Sequence, residues 1–147
     1  MEKRFLTPIE TTRLITDNGR RILTQPLSRT WGLSLLAGFY IAFGAEVATL
    51  VTSDTAEHFG VGISRLLGGS VFSLGLMLVV ICGAELFTGN SLLTKAALQG
   101  QIPWHKIAEN WVVVIIGNLI GSLFLAWLMV ESELWQIGRV AEHAVNI

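Results

Sequence analysis

The sequence has 147 residues, 52% hydrophobic and only 14% charged, with a formal net charge of −1 and a mean hydropathy of +0.60. Soluble domains carry about 25% charged residues, so this composition excludes an ordinary soluble domain, and it offers no basic stripe for nucleic acid. The single cysteine, Cys82, excludes a disulfide framework and reads as a small packing residue inside an apolar run.

Residues 1–30 read as a cytoplasmic N-terminal segment without a continuous apolar run of leader-peptide length. Thr7-Pro8-Ile9-Glu10 has the form of a capping box with proline at the first helical position. It predicts a short amphipathic helix from residue 8 to about residue 23, ended near Pro26. Such a helix either lies on the membrane surface or packs on the rest of the chain.

Residues 31–130 read as a three-span membrane domain with spans at about 31–53, 63–98 and 107–130, followed by an external C-terminal tail at 131–147. A helix needs roughly 20 apolar residues to cross about 30 Å of hydrocarbon. Segment 31–53 has Glu46 as its only acidic or basic residue, and segments 66–84 and 111–130 have none. An acidic side chain at mid-span costs about 2.5–3.5 kcal/mol, so Glu46 should face protein or water unless it lies near the outer end. Lys3, Arg4, Arg13, Arg20, Arg21 and Arg29 precede the first span, and Lys95 and Lys106 follow the second. Only Arg65 and Arg139 stand on the opposite side, so the positive-inside rule puts the N-terminus in the cytoplasm.

The second apolar segment, 66–98, is too long for one crossing. Within it, Glu85-Leu86-Phe87-Thr88-Gly89-Asn90 contains a Gly-Asn turn signal, and Asn90 or Ser91 could cap a helix that resumes over 92–98. The segment is therefore either a helix broken near 85–90 or a plain connection between two spans. Broken backbone at membrane depth is tolerated only inside protein or along a watery cavity, and it is the usual sequence pointer to a transport site. A restarting half-helix favours an anion, and the Thr88 hydroxyl could donate to it. Leu86 and Phe87 would form an apolar constriction that excludes hydrated cations. Glu85 would repel an anion if it were a ligand, so it is expected to play a structural role, accepting hydrogen bonds from the broken backbone. In the third span, Gly117 and Gly121 make a flat face for close helix approach, with Asn118 able to hydrogen-bond across it; Gly38 and Ala42 repeat the small-residue spacing in the first.

His58, His105 and His143 lack metal-ligand spacing, and no nucleophile–histidine pair or phosphate loop is present, which argues against an enzyme, a metal site or a bound cofactor.

The run Arg65-Leu66-Leu67-Gly68-Gly69-Ser70-Val71-Phe72-Ser73-Leu74-Gly75-Leu76, continued by Cys82-Gly83-Ala84-Glu85-Leu86-Phe87-Thr88-Gly89-Asn90, resembles the second, broken helix of formate/nitrite transporters. Pro26-Leu27 is similar to the family's entry into its first helix. Glu109-Asn110-Trp111 with Gly117-Asn118-Leu119-Ile120-Gly121 is similar to its third. The resemblance implies an all-α integral membrane protein: three transmembrane helices with the second broken, half of an aquaporin-like six-helix fold. It further implies small monovalent anions such as formate, nitrite or hydrosulfide as substrates, a pentamer in a prokaryotic inner membrane, and a pore constriction formed by Leu86, Phe87 and Thr88, narrowed by Phe72 and Leu76. The match reaches the first repeat only, with no counterpart for the second broken helix and its central histidine. A complementary second-half chain would then complete the pore; the alternative is a non-transporting membrane assembly subunit or an inactive remnant.

Overall fold

The computed structural model describes residues 5–147, and no strand occurs among them. Lys3 and Arg4, counted above toward the cytoplasmic charge, lie outside the described residues. The helices are α1 (Pro8–Thr24), α2 (Leu27–Thr52), α3 (Thr55–Phe59), α4 (Val61–Cys82), α5 (Phe87–Asn90), α6 (Leu93–Leu98), α7 (Trp104–Glu131) and α8 (Val140–Asn146). A short 3₁₀ turn at Leu134–Gln136 joins the last two. Among them α2, α4 and α7 are long and apolar enough to cross a membrane.

Helix α1 starts where the capping box places it. The Thr7 hydroxyl accepts from the Glu10 amide at 3.3 Å, and the Glu10 carboxylate accepts from the Thr7 amide at 2.7 Å. Proline at the first helical position costs nothing there, because that N–H has no intrahelical partner. At the far end Pro26 forces the preceding Gln25 into extended backbone (φ −74°, ψ 155°). The buried face of α1, at Thr16 and Gly19, rests on α6 rather than facing outward. Lys95 Nζ donates to the Thr12 hydroxyl at 2.8 Å, and a methyl of Leu93 fills the space over Gly19. Beneath them Leu93, Ala96, Ala97, Ile102 and Ile107 form a small core that Ile22, Leu23 and Trp111 complete.

Helix α2 is the central strut, held on two sides by glycine contacts. On one side Gly117 and Gly121 of α7 meet it so closely that an added Cβ would lie 1.9 Å from Ser34 Oγ and 2.0 Å from the Leu35 carbonyl. Gly38 answers from α2, with its own would-be Cβ 2.0 Å from the Asn118 carbonyl oxygen. On the other side Gly44 and Gly75 bring α2 and α4 together, an added Cβ on Gly75 falling 2.6 Å from the Tyr40 carbonyl. Because lipid tails are as apolar as leucine, association of such helices rests on close van der Waals packing and hydrogen bonds, which small residues permit.

At the opposite end from α1, α8 folds back on α2 and α3. Val140 is buried, and His143 Nε2 lies 2.9 Å from the Thr52 hydroxyl. The Arg139 guanidinium pairs with Glu57 and contacts Glu142 through Nε at 3.1 Å and Nη2 at 3.3 Å. The hydrogen bond and charge of Arg139 hold the Glu142 carboxyl below its ordinary value.

Candidate functional site

The backbone leaves α4 at Gly83, a left-handed residue (φ 61°, ψ 33°) that glycine alone adopts without cost. Ala84 N–H donates back to the Val79 carbonyl at 2.9 Å and Gly83 N–H to the Val80 carbonyl at 3.2 Å, the paired bonds of a Schellman stop. The break thus opens ahead of Glu85. The Gly89-Asn90 pair is not the turn: both residues lie within α5, with the Gly89 and Asn90 amides donating to the Leu86 carbonyl at 2.9 and 3.0 Å.

Residues 84–86 carry non-helical backbone between α4 and α5, and groups beside the break are paired by neighbouring helices. Glu85 N–H donates to the Leu33 carbonyl of α2 at 3.1 Å. Asn118 of α7 supplies two more partners at the break. Its Nδ2 donates to the Glu85 carbonyl at 2.9 Å and to the Ser34 carbonyl at 2.8 Å, while its Oδ1 accepts from the Phe87 amide at 3.0 Å. One carboxamide therefore serves both sides of the break and a carbonyl of α2, replacing the water that a membrane interior lacks. The restart of α5 does not offer the Phe87 N–H to a ligand, because Asn118 already takes it.

A polar network of side chains lies under the break. Glu85, 4% exposed, accepts from the carboxamide of Gln25 and from Asn90 Nδ2 at 2.8 Å. Asn90 Nδ2 also donates to Asn110 Oδ1 at 2.9 Å, and the Trp111 indole donates to the Asn90 carbonyl at 3.1 Å. The Glu85 carboxylate thus takes its hydrogen bonds from side-chain amides, not from broken backbone. Burying a carboxylate is expensive without donors, and the amides of Gln25 and Asn90 supply them.

Beside this network a cavity of about 440 Å³ runs along α4 and the break. Leu76, Leu86, Thr88 and Gly89 line it, as do Glu85 and Asn90, with Arg21 of α1 and Arg29 of α2 also in its wall. No described residue hydrogen-bonds the Thr88 hydroxyl, whose backbone carbonyl instead accepts from Ser91 Oγ at 2.6 Å. Phe72 and Phe87 are not part of this wall. Phe87 packs edge-on against Trp111 at 5.6 Å and 77°, while Phe72 lies on α4 with 40% of its surface exposed. Gly117 and Gly121 sit at the α2–α7 contact, away from the cavity wall.

Gln25, Arg21 and Arg29 are among the residues that sequence reasoning did not assign to the site. Pro26 signalled the extended backbone that swings Gln25 across, but its partner stands 60 positions further along. None of His58, His105 and His143 lines the cavity. Glu46, half-buried on α2, has no hydrogen-bond partner among the described residues.

Comparison with known proteins gives a consistent assignment. The formate/nitrite transporter family model matches residues 9–147. The chain is 36% identical over 151 residues to the formate channel FocA of Escherichia coli (strain K12), covering 97% of this chain and 53% of that one. It is 35% identical over 148 residues to a probable formate transporter of Methanothermobacter thermautotrophicus, with 95% and 54% covered. It is also 32% identical over 123 residues to a formate-nitrite transporter of Entamoeba histolytica, with 83% and 34% covered. The chain spans about half the length of the first two of these curated relatives.

Proposed function

Since the chain belongs to the formate/nitrite transporter family, we propose that it forms one wall of a transmembrane pore for small monovalent anions of the formate, nitrite or hydrosulfide type. A second three-span unit with its own broken helix completes the pore, giving an aquaporin-like six-helix protomer that assembles as a pentamer. The protein resides in the inner membrane with its N-terminus in the cytoplasm, an orientation supported by Arg13, Arg20, Arg21 and Arg29 ahead of α2.

The observation that carries this reading is the break between α4 and α5, tied at Glu85 and Phe87 by neighbouring helices while Thr88 keeps an unengaged hydroxyl on the cavity wall. In the pathway, Leu86 and Leu76 present apolar surface that strips hydrated cations of their advantage, and Thr88 donates to an anion oxygen or sulfur. Phe72 and Phe87 border the pathway from outside the cavity wall, Phe87 as the residue that joins Leu86 to Thr88 and Phe72 by meeting the second unit. Glu85, Gly89 and Asn90 hold the loop; Gly117, Asn118 and Gly121 hold the helices. Arg21 and Arg29 raise the local concentration of anions at the cavity, an effect that falls as salt screens them. A second wall is supported by Val80 of α4, which lines the cavity and is nevertheless 71% exposed in the three-span unit.

Flux of formate, nitrite and hydrosulfide into liposomes tests the reading, using the purified chain alone and co-reconstituted with a second-half unit from a relative. Anion flux in either preparation, absent from empty liposomes, is the expected result. If neither preparation conducts although both are inserted and monodisperse, the chain is an assembly subunit rather than a pore wall.

A further inference from the structure

We infer that Gln25 is a positioning residue of the broken loop: its carboxamide fixes Glu85 and, through Glu85, the level at which Leu86 and Thr88 stand in the cavity. The consequence for anion passage rests on the pore reading above; the positioning itself does not.

Gln25 belongs to neither the broken segment nor a membrane span. With Pro26 it makes the link between α1 and α2, half-buried, held extended by that proline and present in the wall of the same cavity as Glu85. Its Nε2 donates both to Glu85 Oε1 and to the Thr30 hydroxyl, the latter at 3.2 Å. Thr30 is buried, so the carboxamide is pinned from its own side of the cavity as well. Glu85 Oε2 is taken by Asn90, which in turn reaches Asn110 of α7. The carboxylate is therefore the joint between two supports, one on α7 through Asn90 and one at the α1–α2 corner through Gln25. The Asn90 support comes from α5 and is itself tied to Asn110 and Trp111 of α7. Of the two partners of the carboxylate, Gln25 is the one that holds it from the α1–α2 corner.

The polarity of the contact can be reversed. In the double variant Gln25→Glu with Glu85→Gln, residue 85 would donate to residue 25 and still accept from Asn90, and the Thr30 hydroxyl could turn to donate to the new carboxylate. Gln25→Glu alone sets two carboxylates against each other, and Gln25→Leu leaves Glu85 Oε1 without its donor.

The test is amide hydrogen exchange across residues 86–90 in the detergent-solubilised full chain, with each variant measured against the unsubstituted protein at the same pH. Loss of one hydrogen bond to a buried charge predicts exchange faster by about ten-fold or more in Gln25→Leu and Gln25→Glu. The double variant should return to within about three-fold of the unsubstituted rate, which a non-specific packing defect at position 25 would not allow. Native exchange in Gln25→Leu, or a double variant as labile as Gln25→Glu alone, overturns the inference. Liposome flux on the same variants reads the pore proposal separately, because exchange reports on the loop whether or not the chain conducts.

Discussion

The side chain of Asn118 accepts from the Phe87 amide at 3.0 Å and donates to the Glu85 carbonyl at 2.9 Å, so a single residue of α7 spans the break between α4 and α5. Asn118→Asp keeps the acceptor for Phe87 and removes both donors. It is expected to destabilise the loop by about 1–3 kcal/mol per orphaned carbonyl, less whatever water can enter. Amide exchange at Phe87 and a lowered melting temperature in detergent would register the loss; an unchanged melt would show that water replaces the carboxamide without cost.

Thr88→Val preserves shape and removes a hydroxyl that no described residue engages. Folding and oligomeric size are expected to stay native, while anion flux in a conducting preparation falls several-fold, in line with about 1 kcal/mol for one hydrogen bond. Unaltered flux would take Thr88 out of the pathway.

Gly117→Ala places a methyl 1.9 Å from Ser34 Oγ, and Gly117→Leu adds far more bulk at the same contact. Overpacking of this kind costs about 1–3 kcal/mol, so the alanine variant should melt earlier and the leucine variant should lose its native oligomer. Gly69, with nothing within 4 Å of an added Cβ, provides the control: Gly69→Ala should melt at or slightly above the native temperature.

Outside the membrane-spanning residues, the docking of α8 carries a pH dependence. Glu142 titrates below its ordinary value because Arg139 hydrogen-bonds its charged form. Its contribution is complete above the ordinary glutamate value and is lost as pH falls through the lowered one. Both side chains are exposed, so the effect should be small and should shrink in salt. Protection of the amides of 140–146, taken relative to the intrinsic exchange rate at each pH, is expected to fall modestly from pH 6 to pH 3 in the native chain. In Arg139→Gln it should already be slightly lower at pH 6 and change less with pH.

Much of this architecture is legible in the sequence, for identifiable reasons. Contiguous absence of charge exposes the three candidate spans, and a local motif, Thr7 with Glu10, marks the start of α1. The family resemblance, carried by the stretch around Glu85, is borne out by a family match over residues 9–147. The position of the break was harder to read because two glycines compete for it. Gly83 and Gly89 are both turn-prone, and only the Schellman bonds to Val79 and Val80 distinguish the one that stops the helix. The partners of Glu85 were invisible for a different reason. Gln25 and Asn90 are amides like any others until the fold brings them together. The direction of Phe87 likewise depends on Trp111, an aromatic on another helix.

The glycine contacts on two sides of α2 also have a mechanical meaning. Gly117 and Gly121 leave sockets one residue wide, flanked along α7 by Ile116, Asn118, Ile120 and Ser122. A screw slip of one residue, about 1.5 Å along the axis and about 100° around it, would bring larger side chains toward the Ser34 and Leu35 backbone. The same holds at Gly44 and Gly75, so the long helices act as a keyed frame whose parts cannot slide. Compliance is left to the short pieces hung within that frame, α5 and α6 with the α1 that leans on them.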